Sequence, residues 1–384
     1  MTTHHPTDAV LTINPGSSSF KIAVIELHDF STIKDTELHH TSIAADSHAL
    51  GKFVQHLTGV TIKAVAVRLV HGGPAITSPA ILDETLMNLL EQLPPSLAPL
   101  HNPPTIAAIR QTREELPDIP VVVCPDTAFF TSLPETAKIY PIPWAWSFEH
   151  GIHRYGFHGL SHAYACRRAA QIASVEESRA AVVTAHLGAG ASLSACLGGV
   201  PVDTTMGFTP LDGIAMATRP GSLDPGILLF LLRDKGIDLT EVEQMLEHGS
   251  GLAGISGVAD GDMVTILEKA KEGHARSSLA ISVYCHRLRA AIASMAASLG
   301  GIDVLAFTGG VGEASPAIRA KATEGLEFLG IRLSGTKNEA QGATDREISA
   351  EDSEVRTVVL QAREDLQMTY LTMEILQLGQ GNEA

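Results

Sequence analysis

Apolar and polar positions along this chain predict strands mixed with helices. An apolar run from Val10 to Ile13, the segment Asn-Pro-Gly-Ser-Ser-Ser and a second apolar run from Phe20 to Leu27 read as strand, turn, strand. The same outline returns between Ala181 and Leu197, where Ala-Val-Val-Thr-Ala is followed by His-Leu-Gly-Ala-Gly-Ala-Ser and Leu-Ser-Ala-Cys-Leu. The copies lie roughly 170 residues apart, about one domain length, which predicts two similar halves with a cleft between them. Strand–turn–strand is also common enough for the likeness to arise by coincidence. Apolar runs at Val121–Val123 and Val304–Thr308 add strands. Gly309-Gly310-Val311-Gly312-Glu313 then predicts a glycine-rich turn, with a helix starting near Pro316. Further helices are predicted near 83–93, 104–116, 160–173, 225–235, 275–299 and 364–377. The mixture is that of an α/β chain.

Composition narrows this picture. At 384 residues and 45% hydrophobic content the chain can bury a large core, and its length suggests two or three domains. The 34 glycines fit tight turns and close backbone approaches, as in nucleotide-binding α/β proteins. A net charge of −16 argues against nucleic acid or an anionic membrane as partner, while a few Arg and His can still focus on a small anion. Cys124, Cys166, Cys196 and Cys285 form no CxxC pair and read as buried thiols in a reducing compartment. The N-terminus lacks the basic and apolar regions of a signal peptide. The apolar stretch 281–310 is interrupted by His286, Arg287 and Arg289, so no membrane span is expected. A cytoplasmic protein is the expectation.

Several segments carry candidate chemistry. In the first turn, Asn14, Ser17, Ser19 and Lys21 surround a glycine, as a plain polar hairpin would or as a pocket for phosphate oxygens would. It is not a Walker A loop, because the GxxxxGK[ST] pattern is missing and a strand follows. Arg68-Leu-Val-His71-Gly-Gly ends an apolar run on a guanidinium suited to bidentate pairing with carboxylate or phosphate, or to a surface ion pair. Leu97-Ala-Pro-Leu-His101-Asn102-Pro-Pro is a proline-stiffened entry to a helix that would also hold Leu100 at a pocket wall. Asp126, at the end of a strand, either orients a neighbouring Arg or metal or simply forms a turn. Arg154-Tyr-Gly-Phe157-His158-Gly-Leu-Ser-His162 spaces two histidines i,i+4. HExxH is absent and no third ligand is evident, so a His donating to a phosphoryl oxygen fits better than a metal pair. The glycine-punctuated stretch Val202–Gly213, then Ala217-Thr-Arg219-Pro-Gly and Asp224-Pro-Gly, contains a lone arginine.

Together these segments resemble the acetate kinase, or acetokinase, family of the acetate and sugar kinase, Hsp70 and actin superfamily. INPGSSSFK, RLVHGG, LAPLHNPP, DTAFF, RYGFHGLSH, HLGAGAS, VDTTMGFTPLDG, TRPGSLDP, GLAGISGV and FTGGVGE occur in the family's order from Ile13 to about Glu313, with a weaker match to Glu364.

The resemblance implies two similarly built α/β domains of the duplicated ribonuclease H-like, actin-type ATPase fold with a central cleft. One would comprise residues 1–129 with a returning helix at 366–384, the other residues 130–365 as a nucleotide-binding domain. It implies reversible transfer of a phosphoryl group from ATP to acetate, giving ADP and acetyl phosphate, with Mg²⁺ or Mn²⁺, in a homodimer. By the same resemblance Arg68 and Arg219 hold the carboxylate and the phosphoryl in flight, His158 donates to it, and Asp126 orients the arginine side. Val70, Leu100, Phe157 and Pro210 line the methyl pocket. Ser17, Ser19 and Lys21 line the phosphate path, and His186, Gly188 and Gly190 form a second phosphate loop. Asp262 belongs to a nucleotide motif, and Gly310 and Gly312 pass under the nucleotide. Asn14 and Glu364 sit at the metal, with Asp365 as the fallback.

The chain departs from the family pattern at Ala189, Ala314, Phe130 and Leu160, and at Val264, which replaces the arginine of an Asp-x-Arg motif. The alternatives are a propionate- or butyrate-preferring kinase, a kinase with a donor other than ATP, and a non-catalytic nucleotide-binding switch.

Overall fold

The strand β1 (Thr7–Pro15) pairs antiparallel with β2 (Ser19–Glu26), which pairs antiparallel with β3 (Thr32–His39). On its other side β1 runs parallel to β4 (Val60–Leu69), and β4 parallel to β6 (Val121–Pro125). The short β5 (Ala80–Ile81) closes the edge antiparallel to β6, giving the order β3-β2-β1-β4-β6-β5. This is a computed structural model, and it describes residues 6–15, 19–39, 49–99, 101–340, 342 and 345–378.

Successive side chains of a strand enter opposite faces, and here both faces are covered, which is why the parallel strands read as unbroken apolar runs. Ala9, Leu11 and Ile13, Val65, Val67 and Leu69, and Val121 and Val123 share one core with Leu86, Leu90 and Ile109, on the helices Glu84–Glu91 and Asn102–Glu115. Val10, Ala64, Ala66, Val122 and Cys124 face the other way, onto Leu160 and Met368. Those two belong to the helices Gly159–Ile172 and Glu364–Leu376. The small side chains of Ala64 and Ala66 leave room for the C-terminal helix to lie close to the sheet.

A second sheet repeats this plan. β7 (Ala181–Leu187), β8 (Ala191–Leu197) and β9 (Val200–Thr204) form an antiparallel run. β10 (Val304–Thr308) and β12 (Arg356–Val359) continue it in parallel, and β11 (Arg346–Glu347) lies antiparallel at the edge. The order β11-β12-β10-β7-β8-β9 is that of the first sheet read from its other edge. The 25-residue helix Ala275–Leu299 packs on β7, β8 and β9 and buries Ile281, Tyr284, Leu288, Ile292 and Met295, three or four residues apart. It stops at Gly300, whose φ of 71° is left-handed. The two α/β halves expected from the sequence are present.

The chain divides into two compact units, Met1–Thr131 with His158–Tyr164 and Arg363–Ala384, and Ser132–Phe157 with Ala165–Ala362. This interleaving is finer than one division near residue 129 with a helix returning at 366. The reason lies in packing, since Leu160 joins Met368 on the first sheet, and Tyr164 joins Ile25 and Leu366 beside it.

One expected turn is a helix. Gly309–Ala314 begins a helical turn directly after β10. Gly309 has φ +77°, and a Cβ there would lie 2.9 Å from the Leu187 carbonyl. Among the described residues no helix is long and apolar enough to cross a membrane. Met368 is wholly buried against the first sheet, so Met368→Ala should destabilise that unit by about 2–5 kcal/mol, read as a shift in its urea unfolding midpoint.

Candidate functional site

The alternation that sorts the first sheet's side chains also selects which polar ones meet. Asn14 continues the parity of Val10, Arg68 that of Ala64 and Ala66, and Asp126 that of Val122 and Cys124. All three stand at the C-terminal ends of parallel strands, where open α/β sheets bind ligands. Arg68 donates from Nε to Asp126 Oδ2 at 3.1 Å and from Nη2 to the same oxygen at 2.6 Å, and from Nη1 to Asn14 Oδ1 at 2.9 Å. The Arg68 side chain is 13% exposed and that of Asp126 fully buried. Burial pulls the Arg68 pKa down, but the Asp126 charge, its hydrogen bonds and the nearby Glu364 more than compensate, and the net shift is upward. Arg68 is therefore a fixed cation.

His158 enters the same unit through its backbone. It has a left-handed φ of 56°, a strained choice for a non-glycine residue. The neighbouring Gly159 is packed so tightly that a Cβ would run into the Asp126 carbonyl oxygen. His162 donates its amide to the His158 carbonyl at 2.9 Å. Lys21 pairs in register with Asn14 and is exposed. Val70 is 6% exposed. Ser17 and Leu100 lie outside the described residues, and Ser19 begins β2.

The turn after Arg68 is held by two residues whose task no motif in the sequence shows. Asn102 accepts from the His71 amide at 3.3 Å and donates to the His71 carbonyl at 2.9 Å, and the Thr127 hydroxyl accepts from the Gly72 amide at 3.2 Å. At the start of the C-terminal helix, Arg363 donates to Asp365 Oδ1 from Nε at 2.9 Å and to Oδ2 from Nη2 at the same distance. Asp365 is thus engaged, beside Glu364.

The second unit holds Arg219. Its Nε donates to Glu247 Oε2 at 3.0 Å, with both side chains nearly buried. Its segment is tied to the glycine turn after β7: the Ala217 amide donates to the Ala189 carbonyl at 3.1 Å, and the Gly188 amide to the Gly190 carbonyl at 2.9 Å. Glycines also let two later segments close on residues 216–217, since a Cβ at Gly251 or Gly261 would collide with carbonyls of Met216 or Ala217. His186, at the end of β7, pairs in register with Thr308. Gly312 is buried and Gly310 is exposed, with open space where its Cβ would be. Asp262 caps the helix Met263–Lys271, accepting from the Thr265 amide at 2.8 Å, and Val264 is 61% exposed. Phe157 and Pro210 are buried. Glu247, the partner of Arg219, gave no signal in the sequence, as it sits in an ordinary amphipathic helix.

Two α/β units of one topology, each with a guanidinium–carboxylate pair and glycine turns, define a duplicated two-domain α/β protein, and its relatives make it a phosphotransferase. A model of the acetokinase family matches residues 30–370, and the chain belongs to that family. An acetate kinase of Synechococcus is 44% identical over 316 residues, 82% of this chain and 77% of the relative. One of Trichormus variabilis is 39% identical over 394 residues, 93% of this chain and 96% of the relative. The solved acetate kinase of Porphyromonas gingivalis has a TM-score of 0.86 at 32% identity, covering 96% of this chain and all of that one. A propionate kinase of Francisella tularensis has a TM-score of 0.85 at 31% identity, covering 95% and 98%.

Breaking the buried Arg68–Asp126 pair leaves an uncompensated charge. Asp126→Ala should therefore cost about 3–5 kcal/mol of stability, measured by chemical denaturation. A loss below 1 kcal/mol, as for a surface pair, would contradict the buried geometry.

Proposed function

We propose that this enzyme is an acetate kinase, transferring the γ-phosphoryl of ATP to acetate by direct in-line displacement and running reversibly. The observation that carries the reading is the Arg68 guanidinium, held on three sides by Asn14 and Asp126 and kept cationic by its carboxylate neighbours. A carboxylate nucleophile is already ionised at neutral pH, so the chemistry needs positioning and charge neutralisation, with no strong general base. Arg68 would hold the acetate carboxylate and Arg219 the phosphoryl group in flight. His158 would donate to that group, and Asp126 would orient Arg68. Val70, Leu100, Phe157 and Pro210 would receive the methyl group. Lys21, with Ser17 and Ser19, would line the phosphate path. The turns at His186–Gly190 and Gly310–Gly312, with Asp262, would hold the nucleotide.

The donor set fits Mg²⁺ or Mn²⁺. Asn14 offers an amide oxygen and Glu364 a carboxylate, the hard ligands that such ions take while keeping several waters. Among the described residues no cluster of three His, Cys, Asp or Glu points to a softer or fully protein-bound ion. When bound, the ion would neutralise phosphate charge, with Asn14 and Glu364 holding it.

The second unit also leaves apolar side chains in water. Trp144 is 70%, Trp146 56% and Phe148 80% exposed, and the helix Pro225–Arg233, sequence PGILLFLLR, has no buried residue. Exposed apolar surface marks interaction sites, and we assign that of the helix Pro225–Arg233 to a second copy of the chain. The four free cysteines, all buried, suit a cytoplasmic setting.

Two experiments test these readings. Acetyl phosphate formed from ATP and acetate is trapped as the hydroxamate; Arg219→Ala should lower kcat by about 10²–10³ with an unchanged circular dichroism spectrum. No acetate-dependent product from the wild type would reject the reading. In sedimentation, the wild type should run as a dimer and Phe230→Glu as a monomer; a monomeric wild type would remove the second copy.

A further inference from the structure

Arg154 begins the segment that leads to Phe157 and His158, and its side chain is engaged inside the second unit. Its guanidinium lies 5.4 Å over the Tyr140 ring. Its Nε donates to the Ala137 carbonyl at 3.2 Å, and Nη1 donates to the Thr205 and Met206 carbonyls at 3.0 and 3.1 Å. The same nitrogen stands 3.5 Å from Asp212 Oδ2. The Tyr140 hydroxyl accepts the Phe208 amide at 2.9 Å and donates toward Asp212 Oδ2 at 3.5 Å. Gly207 lies beneath this hydroxyl, which a Cβ would strike. The Tyr155 amide donates to the Gly207 carbonyl at 3.0 Å.

The other oxygen of Asp212 reaches a different segment. Oδ1 accepts the Ser222 hydroxyl at 2.6 Å and the Gly213 amide at 2.8 Å. The Ser222 amide donates to the Gly213 carbonyl at 2.8 Å. Gly221, at φ +72°, is pressed onto Gly213 and Ile214, where a side chain would not fit. One carboxylate therefore ties the 205–213 loop, which carries Pro210, to the turn directly after Arg219, and faces Tyr140 and Arg154 behind.

We propose that Asp212, backed by Tyr140, is a positioning residue that sets the Pro210 loop and the Arg219 turn in one fixed register. The inference rests on the acetate kinase reading, which gives Pro210 and Arg219 their roles. Asp212 touches neither substrate; it acts through the two segments it joins. A carboxylate suits this post because it accepts from Ser222, Gly213 and Tyr140 while its charge faces the Arg154 cation, and an amide nitrogen in place of Oδ2 would face a hydroxyl donor and a guanidinium.

The test uses the full-length enzyme. Asp212→Asn should lower kcat/KM for acetate by about 10²-fold, the size expected from a small misplacement of a positioned group, while leaving the KM for ATP at its wild-type value. Tyr140→Phe, which keeps the ring under Arg154, should give a smaller fall of the same kind. The loss in the double variant should fall short of the product of the two single losses, since the variants share the Tyr140–Asp212 contact while Tyr140→Phe also frees the Phe208 amide. Asp212→Glu, which keeps the carboxylate, should recover part of the loss. Hydrogen exchange followed by mass spectrometry on the free enzyme should show faster exchange confined to peptides spanning 205–213 and 219–222 in Asp212→Asn.

Unchanged exchange there would overturn the tie even if the wild type makes acetyl phosphate. Faster exchange with unchanged kinetics, or a loss shared by acetate and ATP that follows falling thermal stability, would overturn the positioning role. A wild type without acetate-dependent activity would overturn the functional reading, with the exchange pattern still deciding the tie.

Discussion

The buried pair of Arg68 and Asp126 is the constraint from which the first unit's chemistry follows. Taking a guanidinium and a carboxylate out of water costs several kcal/mol per ion, and their attraction offsets this only where geometry is good and the remaining donors are met. The geometry is good here: Nη2 lies 2.6 Å from Oδ2 and Nη1 donates to Asn14, while each of these two nitrogens carries a second N–H for a ligand. The cost is consistent with a residue kept for what its charge does, because an apolar pair of similar volume would serve folding as well. Arg68 is held at the edge of exposure, charged, with its planar fork fixed by two neighbours.

The strand period explains why these three residues meet. Position 14 follows 10 and 12, position 68 follows 64 and 66, and position 126 follows 122 and 124, so each inherits the face of the helix Glu364–Leu376. Parallel pairing in register then brings the strand ends level, Ile13 with Val67 and Arg68 with Cys124. Arg219 is restrained by the same device, a nearly buried carboxylate, although it sits in a loop and its Glu247 comes from a separate helix.

Much of this was legible in the chain. The apolar runs gave β1, β2, β6, β7, β8 and β10 to within a few residues, because burial on both faces leaves few polar interruptions. The glycine-rich segments stood out because close backbone approach at Gly159, Gly251 and Gly261 tolerates no side chain. The partners of those segments were not legible. Glu247, Asn102, Thr127 and Ser222 do their work through one or two hydrogen bonds to residues 10 to 55 positions away, and no local pattern encodes such a distance. The Gly309–Glu313 segment reads as a turn because glycine has poor helix propensity. Its contact with the Leu187 backbone outweighs that preference.

The duplicated topology allows a comparison within one molecule. In the first sheet the next-to-last residue of β1, Asn14, lies beside Lys21 of β2 and bonds Arg68 of β4. In the second, the next-to-last residue of β7, His186, lies beside Ser192 of β8 and Thr308 of β10. One sheet therefore carries two cations at positions where the other carries two small hydroxyls. Cationic side chains stabilise charge at a fixed point, whereas small residues and glycines let backbone amides approach an extended anion closely. The same frame thus suits two kinds of anion contact, one by side-chain charge and one by main-chain dipole.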